Sequence, residues 1–227
     1  MSFTADSIVF SLNGNIIQLH EGEFNPLQSL AEFIRSDSIR LTGTKISCGE
    51  GGCGSCTVIM SKYSKSNYGK GSEQQVFHYA VNSCLIKMIQ VHKTTITTIE
   101  FLGSVLKSKN KEIHPIQNSF IKHSATQCGY CAPGFIMASY AAILSNEKVH
   151  DDENELKKFD IEDLHQFDGN LCRCTGYRSI IDALREFSKD PSPSDDSISI
   201  NDTGVQTYDI KTRIPVVPEI FKNEPKG

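Results

Sequence analysis

The eight cysteines of this chain are the residues whose type and spacing could do chemistry, and they fall into two groups of four. Three of the first group sit in "SCGEGGCGSCTVIM", Ser47 to Met60, as Cys48-x4-Cys53-x2-Cys56. The fourth, Cys84, follows after 27 intervening residues. The second group is Cys128-x2-Cys131 and, 40 residues on, Cys172-x-Cys174. Gly49, Gly51 and Gly54 also spell G-x-G-x-x-G, the dinucleotide fingerprint. That motif works only where a strand feeds the loop and a helix leaves it, with the pyrophosphate on the helix N-terminus. Here Thr57, Val58 and Ile59 follow, a strand-like run. A nucleotide site has no use for three cysteines, so the sulfur spacing carries the reading.

C-x4-C-x2-C with a distant fourth cysteine is the spacing of a plant-ferredoxin-type [2Fe-2S] centre. It also accounts for the glycines. Amides aimed at cluster sulfur stabilise added negative charge, and glycine permits both the tight path and the close approach. The spacing of the second group describes either an iron–sulfur or a zinc site. Its two pairs, in "QCGYCAPG" and "NLCRCTGYR", precede predicted helix starts, where orphan amides and the helix dipole favour thiolates.

Other side chains offer less. None of the seven histidines lies two residues after a cysteine, so no Rieske pattern is visible, and solvated or structural roles are expected for them. No Ser/His/Asp or paired-carboxylate arrangement stands out, so no catalytic residue is expected. Asp151-Asp152-Glu153 reads as a solvated loop, and Lys62, Lys65 and Lys70 as an exposed turn.

The elements that must position the cysteines follow from periodicity. "SIVFSLNGNIIQL" alternates apolar residues around Asn13-Gly14, the signal of a hairpin with a primed turn. Asn25-Pro26 resembles an N-cap with proline at the first helical position, and Leu27, Leu30, Ala31 and Ile34 share one helical face. "CTVIM" and "QVFHYAVN" read as strands around a polar turn, "SKYSKSNYGKGSEQQ", and "TTITTIE" as another strand. Residues 1–100 therefore form an α+β unit. From 101 to 190 the pattern is helical: "HPIQNSFIKHSA", "APGFIMASYAAIL", "IEDLHQF" and "GYRSIIDALREF" predict about four helices. Residues 191–227 open on a Pro/Ser/Asp-rich stretch and have the composition of a linker or tail.

A net charge of -4 argues against a phosphate-backbone partner, which needs clustered positive surface, so no nucleic-acid binding is expected. No segment approaches the ~20 apolar residues that span a bilayer, and the first residues lack a basic, apolar leader, so neither membrane nor secretion is expected. In the cytoplasm thiols stay reduced, which favours metal ligation over disulfides.

Taken in order, "LTGTKISCGEGGCGSCTV", "VNSCL", "HPIQ", "QCGYCAPG" and "GNLCRCTGYR" resemble the N-terminal iron–sulfur region of the xanthine dehydrogenases and aldehyde oxidases, the molybdenum hydroxylases. The resemblance implies a ferredoxin-like (β-grasp) domain with one [2Fe-2S] cluster on Cys48, Cys53, Cys56 and Cys84. It implies a helical four-helix domain with a second on Cys128, Cys131, Cys172 and Cys174. Electrons in the family pass from a molybdopterin centre through the helical-domain cluster and the ferredoxin-like cluster to FAD. Gln127, beside Cys128, is by the same resemblance a candidate hydrogen-bond partner of the pterin, and Arg173 a candidate modulator of cluster charge. Ser179 stands where the family commonly has proline, and the interval from Cys56 to Cys84 is a little long. FAD and molybdopterin are expected on further domains or partner subunits, so the chain is not expected to turn over substrate alone. The rival expectation is a zinc-stabilised or redox-inactive scaffold that retains the fold.

Overall fold

The structure, a computed structural model, describes residues 7–65, 74–103, 112–146, 167–188, 206–207 and 214–222. Strands β1 (Ser7–Leu12) and β2 (Asn15–His20) form the expected hairpin, with Asn13 and Gly14 at φ 50° and 87° as a primed turn requires. β3 (Thr57–Lys65) and β4 (Gln74–Asn82) make a second antiparallel pair, and β5 (Thr95–Thr97) lies between the two hairpins. The sheet order is β2-β1-β5-β3-β4, with β1 parallel to β5 and the other pairs antiparallel.

Alternation decides which faces are buried. Ile8, Phe10 and Leu12 of β1, Val58 and Met60 of β3, and Ile96 of β5 form one core with Leu30, Phe33 and Ile34 of α1 (Leu30–Arg35). Phe10 and Phe33 meet edge to face at 5.9 Å between ring centroids. Ile59, one residue out of phase with Val58 and Met60, belongs to a second core built around helix α3 (Ala132–Asn146). That helix is apolar nearly all round and packs on β3 and β4, as a helix with no polar face must. α2 (Pro115–Lys122) and α4 (Arg178–Arg185) complete this layer. Ser119 donates to the Ala183 carbonyl at 2.8 Å, and Glu186 accepts from Lys122 and meets His123, both at 3.0 Å.

Several expectations are corrected. α1 starts at Leu30, not at Pro26. Ser29 is its cap, in a reciprocal box with Glu32, while Asn25 accepts from the Leu27 amide in a turn and Leu27 is exposed. Lys62 lies within β3 rather than in a turn, its ammonium 5.8 Å from the Tyr79 ring centroid. The strand extends because the hydroxyl of buried Ser61 meets Nδ1 of His78 on β4 at 2.7 Å, a paired polar contact inside the sheet. Of the expected helices, α2, α3 and α4 are present among the described residues; the one expected in "IEDLHQF" lies outside them except for Phe167. A short strand, β6 (Glu112–Ile113), pairs in parallel with β7 (Gln206–Thr207).

Residues 214–222 pack on the first sheet. Val217 and Phe221 are buried, and Val217 O and Val216 O accept from Tyr63 Oη and Thr95 Oγ1 at 3.1 and 3.2 Å. Among the described residues no helix is long and apolar enough to cross a membrane.

Candidate metal centres

Cys48 and Cys53 lie in the loop that leads from α1 to β3, Cys56 immediately before β3, and Cys84 two residues past β4. Because β3 and β4 pair with Thr57 opposite Asn82, the hairpin brings Cys84 back beside Cys56, their sulfurs 3.3 Å apart. Cys48 lies close enough in the same loop to act on the Cys53 thiol, whose sulfur meets Ser55 Oγ at 3.2 Å. In the first quartet the sulfur contact is that of Cys56 with Cys84.

Neighbouring side chains hold this loop in place. Arg35, at the end of α1, donates to the Thr42 and Thr44 carbonyls at 2.8 and 2.6 Å, and Glu100 accepts from the Gly43 amide at 2.7 Å. Asn82 donates to Gly51 O at 2.8 Å, and Ser83 Oγ donates to Cys56 O at 2.6 Å. The start of α1 adds the Ala31 amide, which donates to Ser83 O at 3.1 Å. Gly54 is buried with φ +68°, and a Cβ there would run into Gly169 O and the Asn170 side chain.

In the second quartet Cys131 immediately precedes α3 and accepts from the Phe135 amide, the position of a helix N-cap. Cys172 and Cys174 sit in a loop ahead of α4, which begins only at Arg178, so the expectation that both pairs abut helix starts holds for one. Cys128 and Cys174 lie 3.6 Å apart on the surface, and Cys131 and Cys172 are near enough to act on one another's thiols.

The thiols differ in character. Burial pushes the Cys56 thiol up to about 11, with Cys84 beside it adding to the rise, and pushes Cys131 up to about 12, with Cys172 adding. The dipole of α3 does not offset that burial. At Cys53 burial acts upward but is outweighed by hydrogen bonds from Ser55 and Cys48, which bring the thiol down to about 7. At Cys172 burial is likewise outweighed, first by Thr175, whose hydroxyl donates to the sulfur at 3.1 Å.

All eight cysteines are free of disulfides. Two thiolates on one tetrahedral metal, with bonds of about 2.3 Å, lie about 3.7 Å apart, close to the two pair distances. Among the described residues, no three His, Cys, Asp or Glu side chains gather tightly enough to hold a single ion. The contacts at 3.3 and 3.6 Å are therefore spacings that two thiolates bound to one metal can adopt.

The two loops also touch. The Leu171 amide, next to Cys172, donates to Cys53 O at 2.9 Å, and Asn170 Nδ2 donates to Gly54 O at 3.0 Å. Tyr130, between Cys128 and Cys131, donates its hydroxyl to Ile46 O at 2.6 Å. Gln127 and Arg173 are exposed beside the Cys128/Cys174 pair. Arg35, Asn82, Tyr130 and Asn170 were not singled out by the sequence reading; only their places beside cysteines or at the end of a helix hinted at them.

Comparison with known proteins places both quartets inside matched regions. Residues 20–88 match a model described as a 2Fe-2S iron-sulfur cluster binding domain, and residues 98–185 one described as a [2Fe-2S] binding domain. The chain is 34% identical over 224 residues to a xanthine dehydrogenase/oxidase of Rattus norvegicus, covering 96% of this chain and 15% of that one. Of the solved structures, quinoline 2-oxidoreductase from Pseudomonas putida 86 aligns at 30% identity and a TM-score of 0.55, over 78% of this chain and 89% of that chain.

The chain belongs to the xanthine dehydrogenase/aldehyde oxidase family.

Within that family it is the region of two [2Fe-2S] domains. An aldehyde oxidase 4 of Cavia porcellus, 36% identical over 188 residues, matches 83% of the chain. The chain spans only 12% of that relative and 15% of the rat one, so it corresponds to a small part of these family members.

Proposed function

We propose that the chain is an electron relay with two [2Fe-2S] clusters, one on Cys48, Cys53, Cys56 and Cys84 and one on Cys128, Cys131, Cys172 and Cys174. It passes electrons from a molybdopterin centre toward FAD, and both of those centres belong to other domains or subunits. The observation that carries this reading is the sulfur–sulfur contact within each quartet, Cys56 with Cys84 at 3.3 Å and Cys128 with Cys174 at 3.6 Å. When bound, each cluster takes up and returns one electron.

The residues around each site do the rest. Burial of Cys56, Cys84 and Cys172 keeps water from one side of each centre, and exposure of Cys48, Cys128 and Cys174 leaves the other side open to a partner. Gln127, exposed beside Cys128, is the proposed donor to the pterin, a role carried by the family resemblance. The family context favours a β-grasp ferredoxin-like domain over residues 1–100, a helical domain over 101–190 and a linker over 191–227. Eight free cysteines suit a cytoplasmic setting, where thiols remain reduced.

The test is iron and acid-labile sulfide per chain on anaerobically prepared protein, with EPR after dithionite reduction. Four irons and two distinct S = 1/2 signals are expected. Cys53→Ser should abolish one signal and Cys131→Ser the other. Colourless, zinc-containing protein that takes up no iron on reconstitution would refute the proposal.

A further inference from the structure

The two cysteine loops come from elements far apart in sequence, yet three hydrogen bonds stitch them together. Tyr130 Oη donates to Ile46 O across 84 residues, Asn170 Nδ2 to Gly54 O across 116, and the Leu171 amide to Cys53 O. The third is made by backbone alone. The first two are made by side chains, and each spans from one quartet to the other: Tyr130 lies between Cys128 and Cys131, and Asn170 two residues before Cys172. Asn170 is 6% exposed, and its amide enters a contact so close that Gly54 and Gly134 admit no Cβ. At Gly134 a Cβ would strike Gly54 O.

Asn170 is not needed to satisfy its acceptor. Gly54 O also accepts from the Thr57 amide at 3.1 Å and the Thr57 hydroxyl at 2.7 Å. Local folding of the first loop therefore does not require Asn170. Ile46, in turn, packs on the small core formed by Ala31, Cys56 and Cys84, so the Tyr130 bond attaches to the part of the first loop that backs its buried sulfur pair. What Tyr130 and Asn170 add is the attachment of one loop to the other.

We propose that Tyr130 and Asn170 are positioning residues that fix the separation of the two clusters and with it the electron exchange between them. The inference rests on the two-cluster reading above. The exchange moves one electron from a reduced cluster to an oxidised one; the donor is oxidised by one electron, the acceptor is reduced by one, and no covalent bond forms or breaks. Electron tunnelling weakens steeply with distance, and the magnetic coupling of two reduced clusters falls as the inverse cube of their separation. A loosened stitch therefore shows in both.

The experiment uses the full chain, loaded anaerobically and reduced with excess dithionite, as wild type, Tyr130→Phe, Asn170→Ala and the double variant. Iron content and the two EPR signals report loading, and the low-temperature splitting of those signals reports cluster separation. Each variant is expected to keep four irons and both signals while the splitting narrows or blurs, most in the double variant. A general loss of fold would instead lower the iron content. Tyr130→Phe, which removes a single oxygen, decides the matter should Asn170→Ala lose iron.

Unchanged splitting in fully loaded variants would overturn the inference. So would a wild type with two signals and no splitting, because stitched loops would then not hold the clusters within magnetic range. A wild type without iron is a different result, and it falls on the two-cluster reading itself.

Discussion

Gly54→Ala probes the contact between the two cysteine loops, and its magnitude can be worked from the structure. The substitution adds a Cβ to a residue at φ +68°, where a left-handed backbone costs an L-residue about 1–2 kcal/mol. The same Cβ would collide with Gly169 O and the Asn170 amide, and both belong to the loop that carries Cys172. Forcing extra volume into a packed site typically costs a further ~1–3 kcal/mol. Gly14 supplies the control, since it has φ +87° and nothing within 4 Å of the added atom. Gly14→Ala should therefore show the backbone cost alone.

The assay is anaerobic urea unfolding of the loaded chain, followed by far-ultraviolet dichroism and by the visible absorbance of the clusters. With a slope of about 2–3 kcal/mol per molar urea, the excess cost at Gly54 corresponds to a midpoint lower by roughly 0.3–1.5 M than that of Gly14→Ala. Equal midpoints for the two variants would refute the close approach of the loops.

Other expectations test single contacts. Ser29→Ala removes the cap and its box with Glu32, and should cost about 1 kcal/mol, whereas Asn25→Ala should cost less because Asn25 caps only a turn; chemical denaturation that ranks them the other way would put the helix start back at Pro26. Glu186 is held below the ordinary glutamate range: burial acts upward on its carboxyl but is outweighed by hydrogen bonds from His123, Lys122 and Ser119. Its contribution is therefore complete above the unfolded glutamate value of about 4.3 and is lost as pH falls through the depressed one. Glu186→Gln should cost about 1 kcal/mol at neutral pH and flatten the fall in stability below about pH 4.5, and thermal unfolding across that window checks it.

Much of this protein was legible in the sequence because its signals are local. The Asn13-Gly14 hairpin, the strands on either side of residues 66–73 and the proline at the start of α2 each depend on a few neighbouring residues, and the structure has them. The division of the cysteines into two quartets, and the family they resemble, were equally plain from spacing and order. The start of α1 was misread because Asn25-Pro26 and Ser29 both carry capping chemistry. The choice fell to Ser29, where the Leu30 and Ala31 amides find the carbonyls of Ile86 and Ser83. The extent of β3 was misread because its polar surface residues look like a turn until Ser61 is paired with His78.

Only the tertiary structure decided how the parts meet. Spacing says that Cys84 joins the first quartet, but the register of β3 against β4 is what sets it beside Cys56 rather than Cys53. Composition suggests a linker after residue 190, yet Val217 and Phe221 are buried on the first sheet by contacts that no local pattern announces. The stitch from Tyr130 to Ile46 and from Asn170 to Gly54 joins residues 84 and 116 positions apart. The sequence by itself singled out the eight cysteines as the candidates for the chemistry, because residue type and short spacing are local. Distance between the two centres depends on how two separate cores pack, and that is settled only when the chain is folded.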